Sequence, residues 1–133
     1  MLTKSKGIYL GALFAVSVAV LGILFSCTEE TPPDPLVGSW ETDVGPVHEI
    51  MELKQDGTYT VNGSGPSVTM YIEGIWSNDS SAQTITQQVT KYIFNGSDLG
   101  GGPPETCPYT LSADQNTLTI TNPLQQQIIY SRI

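Results

Sequence analysis

The single histidine, His48, stands in "HEIME" ahead of Glu49 and Glu52, and a histidine with carboxylates at such spacing could hold a zinc ion or activate a water. That chemistry needs a helix, which brings positions i and i+4 to one side. The surrounding "VHEIMELK" alternates as a strand does, and residues four apart in a strand lie about 13 Å from one another. Glu52 also stands where a second metal-binding histidine would be needed. His48 is therefore expected to be a solvated residue on an edge or loop-proximal strand, and no metal site is expected. The chain offers no nucleophile–base–acid set for a lone histidine to serve. "GSDLGGGPPE" has a run of glycines but neither the lysine nor the helix start that would cradle a phosphate, so it reads as a mobile loop. No catalytic residue and no cofactor is expected, and the chain reads as a non-enzyme.

The elements that would position any remaining chemistry fall into three segments, residues 1–26, 27–35 and 36–133. The first carries Lys4 and Lys6, an uncharged apolar run of about 19 residues from Gly7 to Phe25, then a small residue and a cysteine. This is a secretory signal plan, although the run is long enough to span a bilayer if it were kept. "LFSC", Leu24 to Cys27, resembles the lipobox of bacterial lipoproteins, with Leu at minus three and Ser26 before the cysteine; Phe25 is bulkier than the usual occupant. The resemblance implies that Cys27 receives a diacylglycerol thioether, that the peptide before it is removed, and that its freed amine is acylated, for example with palmitate. Each buried CH₂ of such chains contributes about 0.8 kcal/mol, so two or three chains anchor stably. Cys27 would then be consumed by lipid, leaving Cys107 without a partner in the chain. Cys107 reads as a buried small apolar residue or, alternatively, an exposed thiol.

Loss of Lys4 and Lys6 would move the formal charge from -8 to -10, with only Lys54, Lys91 and Arg132 as basic residues. Nucleic acid is excluded as a partner, because nothing could neutralise its phosphates. Residues 28–35, "TEETPPDP", combine three prolines and three acids with no large apolar side chain, which marks an extended, solvated tether. Thr28 after the cysteine, rather than Asp, fits outer-membrane sorting in the family pattern of Gram-negative lipoproteins. Glu29 and Glu30 resemble the surface-export signals of some of them. The expected location is the bacterial cell envelope, at the outer membrane, facing either the periplasm or the surface.

From Leu36 to Ile133 the pattern is strand after strand. "VTMYIEGIW" places Val68, Met70, Ile72, Gly74 and Trp76 on one face and Thr69, Tyr71, Glu73 and Ile75 on the other. "VHEIMELK" and "TYTVN" flank a hairpin signal at Asp56-Gly57. Further strands are expected in "GSWET", "TITQQVTKYIFN", "TCPYTLS", "TLTIT" and "QQIIYSRI", with turns at "SNDSSA", "ADQN" and "NP". Eight short strands with hairpin-length connections predict an all-β fold, a small antiparallel up-and-down barrel whose closure removes exposed edges.

"LVGSW", "LKQDGTYTV", "GIW", "NTLTI" and a terminal "YSR", in that order, resemble bacterial lipocalin-like lipoprotein domains, relatives of the lipocalins within the calycin group. The domain is shorter than a lipocalin and lacks a C-terminal helical segment and a disulfide pair. Gly38-x-Trp40 and Gly74-x-Trp76 repeat one unit 36 residues apart. The resemblance implies that Trp40 packs under an arginine near the last strand, and Arg132 is the only arginine present, so Gly38, Trp40, Gly74, Trp76 and Arg132 are read as structural closure. Fatty-acid-binding calycins hold a carboxylate with Arg-x-Tyr; Tyr130-x-Arg132 has the same types in reverse order and, with Met70 and Ile72, gives a candidate ligand-binding set. Three functions remain open on this reading. They are a carrier of a small apolar or amphipathic ligand, a module or inhibitor that contacts an envelope protein or glycan, and a purely structural envelope lipoprotein with a filled barrel.

Overall fold

The computed structural model describes residues 32–133. Cys27, the signal segment and the tether before Pro32 lie outside the described residues. Nine strands follow: β1 (Gly38–Val44), β2 (Val47–Leu53), β3 (Thr58–Gly65), β4 (Val68–Asp79), β5 (Thr84–Phe94), β6 (Ser97–Asp98), β7 (Glu105–Leu111), β8 (Thr117–Thr121) and β9 (Gln127–Arg132). All pairings are antiparallel between sequence neighbours, apart from β5 with β7 and β9 with β1, and the β4–β5 ladder closes the sheet into an eight-stranded barrel. The ninth strand, β6, is a two-residue return along the end of β5.

The eight expected strands are the eight barrel strands, and β6 is the addition. The glycine-rich segment after it departs from the expectation of a loose loop: Leu99 N donates to Tyr92 O at 2.7 Å and Gly102 N to Val89 O at 2.9 Å, so the backbone runs beside β5 where β7 does not reach.

Period-two alternation sets the inward face. Trp40, Met51, Val61, Ile72 and Tyr92 are successive cross-strand neighbours from β1 to β5. The core is completed from the other side by Ile85, Cys107, Tyr109, Leu118, Ile120 and Tyr130. Full burial of a residue such as Leu53 or Leu118 contributes roughly 1.5–3 kcal/mol. In β5 the inward residues change parity, because the register with β4 shifts at Glu73/Gly74 and Thr90 is the extra residue. Ile85 and Val89 point inward before this bulge, and Tyr92 and Phe94 sit opposite inward Ile72 and Met70 after it. One inserted residue thus turns the aromatic pair, whose rings meet edge to face at 6.3 Å, to the barrel side.

Candidate functional site

The barrel has two unlike ends. The entry segment and the β2–β3, β4–β5 and β7–β8 turns gather at one, which we call the closed end. The β1–β2, β3–β4, β5–β6 and β8–β9 turns gather at the other, the open end.

At the closed end the chain enters through an Asx turn in which Leu36 N donates to Asp34 Oδ1 at 2.9 Å. This drives Leu36 into the core at 0% exposure, beside an equally buried Trp40. The Trp40 indole donates to Leu36 O at 2.9 Å. Arg132 on β9 is the cross-strand neighbour of Trp40, and its guanidinium carbon stands 4.1 Å from the indole centroid. Its nitrogens donate to three backbone carbonyls: Nε to Gln115 at 2.8 Å, Nη1 to Val37 at 3.0 Å and Nη2 to Pro35 at 2.6 Å. Gly38 permits this with φ 143°, and a Cβ there would lie 2.6 Å from Arg132 Nη1. A guanidinium stacked on an indole contributes about 0.5–2 kcal/mol.

The second Gly-x-Trp unit works the same end by a different neighbour. Trp76 Nε1 donates to Lys54 O at 2.9 Å, and Trp76 N donates to Gly57 O at 2.8 Å, which fastens the β2–β3 turn. A Cβ on Gly74 would collide with Gln88 O of β5 and with the Tyr59 ring, so the position admits only glycine without movement. Gly38, Trp40, Arg132 and, on their own side, Gly74 and Trp76 are thus brought to one end.

The candidate ligand-binding set is not brought together as one group. Met70 and Ile72 are partly buried inward residues of β4, packed on the core. Tyr130 is buried on β9, and burial, then the nearby Glu49 and Tyr59 charges, push its hydroxyl well above the ordinary tyrosine range. Arg132 shares the Tyr130 strand face but is turned to the closed end, where its donors meet carbonyls. Glu49 sits beside Gly63 on the inward register, and burial raises its carboxyl above the usual range. The strict alternation of β2 puts Glu49 on the face of Met51 and Leu53, where an inward arginine could have used it as a counter-charge, but Arg132 is turned away to the closed end.

Cys107 is buried, and its thiol is raised by desolvation and by the Glu105 carboxylate it faces at 3.6 Å. His48 points outward between two acids of β1: Nδ1 is 2.8 Å from Asp43 Oδ1, and Nε2 is 3.5 Å from Glu41 Oε2. Among the described residues no cluster of three or more potential ligands could hold a metal ion.

The clefts bordered by described residues lie on the outer wall and at the open rim. One of about 380 Å³ lies on the outer face of β2–β5 around Ile50, Tyr71 and Ile93. Another of about 540 Å³ separates Thr42–Gly45 from Gln126–Ile129, and a third of about 370 Å³ adjoins it at Glu41, His48 and Ser131.

No protein-family model matches the chain, and no curated protein or solved structure matches it significantly. The closed eight-stranded antiparallel barrel is compatible with a lipocalin-like, ligand-binding domain.

Proposed function

We propose that the chain is a lipid-anchored lipoprotein of the bacterial cell envelope, attached through Cys27 and carrying a lipocalin-like barrel that works by binding rather than catalysis, through its outer wall and open rim. One observation carries the preference for the outside: the barrel's own side chains, from Trp40 and Leu36 through Met51, Tyr59 and Tyr130, pack its interior. Small eight-stranded barrels have an interior just wide enough for such filling. The entry of the chain beside Arg132 supports a geometry in which the tether holds the closed end and presents the open end. An envelope protein or glycan is then the class of partner, in the periplasm or at the surface of the outer membrane.

A second reading, a small apolar or amphipathic ligand at the mouth, is favoured by Met70, Ile72, Tyr92 and Phe94, which line one inward wall beyond the fully buried core. Native mass spectrometry of the protein extracted from its membrane separates the two. A stoichiometric adduct of small-molecule mass would establish the carrier and overturn the outer-surface reading; bare protein is the expected result. Anchoring is checked by membrane fractionation of Cys27→Ala, expected to lose the lipid and leave the membrane fraction. A variant that stays membrane-bound would instead make the apolar segment an uncleaved anchor.

A further inference from the structure

The barrel wall is not uniformly laced. β1 and β2 pair over seven residues and β4 and β5 over ten positions, but β1 and β9 pair only at Trp40–Arg132 and Glu41–Ser131. Both strands continue past that ladder, β1 through Thr42, Asp43 and Val44, and β9 from Gln127 to Tyr130. Thr42 Oγ1 donates to Ile129 O at 2.7 Å, a side-chain hydroxyl standing where a backbone donor would be. Beyond it the two edges part around the cleft of about 540 Å³. Natural sheets protect such edges, because unpaired N–H and C=O groups are templates for another strand.

The flanks of this seam are chemically distinct. Val44 and Ile129 are 44% and 57% exposed beside it, large apolar side chains with solvent on one side. Glu41 and Asp43 project outward from β1 on the same flank, with His48 as their only basic neighbour within ion-pairing distance among the described residues. Among the described residues the three permanent cations lie elsewhere: Lys54 follows β2 at the closed end, Lys91 is opposite Glu73, and Arg132 is committed to carbonyls. A second copy would bring the same acids against them, and like charges directly opposed across strands are destabilising.

We propose that the β1–β9 seam is a docking slot for an extended, cationic polypeptide segment, which pairs its backbone with the free edge of β1 at Thr42–Val44. Its basic side chains would face Glu41 and Asp43 on the outward side, and its alternate apolar ones would cover Val44 and Ile128 on the barrel side. Main-chain pairing supplies affinity in this mode, and alternate side chains supply specificity. The slot rests on the reading that the outside of the barrel is the working surface, and it names the partner that surface takes.

The test uses the full-length chain in detergent micelles and a fluorescein-labelled ten-residue peptide of alternating Lys and Val. Fluorescence anisotropy is expected to show binding at least tenfold tighter than to the same peptide with Glu for Lys or with Pro for Val. The charge-reversed pair E41K/D43K, and the milder E41Q/D43N should the first fold poorly, are expected to weaken binding at least tenfold and about threefold, respectively. Amide hydrogen exchange should slow at residues 42–44 when the peptide is bound. The Lys–Pro peptide binding as tightly as Lys–Val would reduce the effect to charge alone and overturn the slot. Unchanged binding by both variants, slowing confined to other strands, or a concentration-dependent dimer that protects the seam would each overturn it as well. A small-molecule adduct in the native mass spectrum would sink the outer-surface reading itself, whereas peptide failure with bare protein sinks the slot alone.

Discussion

The closed and open ends of this barrel are made from the same strands yet held by different chemistry. At the closed end, Asp34, Asp56, Asp79 and Asp114 each accept a hydrogen bond from the backbone N–H two residues on, two indoles donate to carbonyls, and one guanidinium caps three more. At the open end, the turns leave Val44 and Leu124 exposed, and the β1–β9 ladder stops short. The open-end turns are also satisfied by the chain, with Asp98, Asn122 and Asn95 accepting from backbone N–H groups, so what that end lacks is the indole and guanidinium seal, and its opening to an outside partner is the β1 edge past Glu41. At the closed end, four of the thirteen acids of this protein are therefore turn chemistry rather than ligand-facing charges.

The contrast can be broken at its centre by Trp40→Ala, expected to cost about 3–5 kcal/mol by urea titration because it empties a fully buried site. Phe94→Ala, at an open-end position 36% exposed, is expected to cost about 1 kcal/mol in the same titration. Equal losses would abolish the distinction. Gly74→Ala should cost about 1–3 kcal/mol by forcing Tyr59 and β5 apart, read as a lower thermal midpoint. Arg132→Lys retains the charge but not the planar fork, and about 1–2 kcal/mol of stability should go with it. Leu124→Ser, at 78% exposure, should stay within about 0.5 kcal/mol of the parent.

Acid titration sharpens the same contrast with opposite signs at the two ends. Hydrogen bonds from Thr58, Ser81 and Ser112 lower the carboxyls of Asp56, Asp79 and Asp114 below 3.8, so the stability they give is present above that value and is lost as pH falls below it. Burial raises the Glu49 carboxyl above 4.5; the folded state then holds its proton more tightly than the unfolded one, and the penalty on its charge is relieved as pH falls from neutrality toward 4.5. Urea midpoints are expected to rise slightly from pH 7 toward pH 5 and to fall below about pH 4. Glu49→Gln should remove the rise and leave the fall.

Strand placement was legible because each segment follows period two between turn residues whose mechanism is local; "VTMYIEGIW" even assigned the two faces of β4 as they stand. The glycine-rich segment was not legible, since nothing local says that its backbone will bond to Tyr92 and Val89. The bulge left a faint trace in "TITQQVTKYIF": the inward residues are odd-numbered at Ile85 and Val89 and even-numbered at Tyr92 and Phe94, a parity change that only an inserted residue produces. His48 was placed on a strand by its surroundings, but its bonds to Asp43 and Glu41 depend on the β1–β2 register, which the turn at Gly45-Pro46 sets. The short β1–β9 ladder joins the two ends of the fold in sequence, and no local pattern reports how far such a distant pairing runs.

Both indoles lie at the closed end, one sealed beneath Arg132 and the other against the β2–β3 turn. Tryptophan emission excited at long wavelength will therefore report on the closed end of the barrel and be nearly blind to its mouth and seam. An unchanged emission spectrum on mixing with a partner would say nothing about binding at the open end. A tryptophan introduced at Ile129 or Leu124 would give that end a spectroscopic voice of its own.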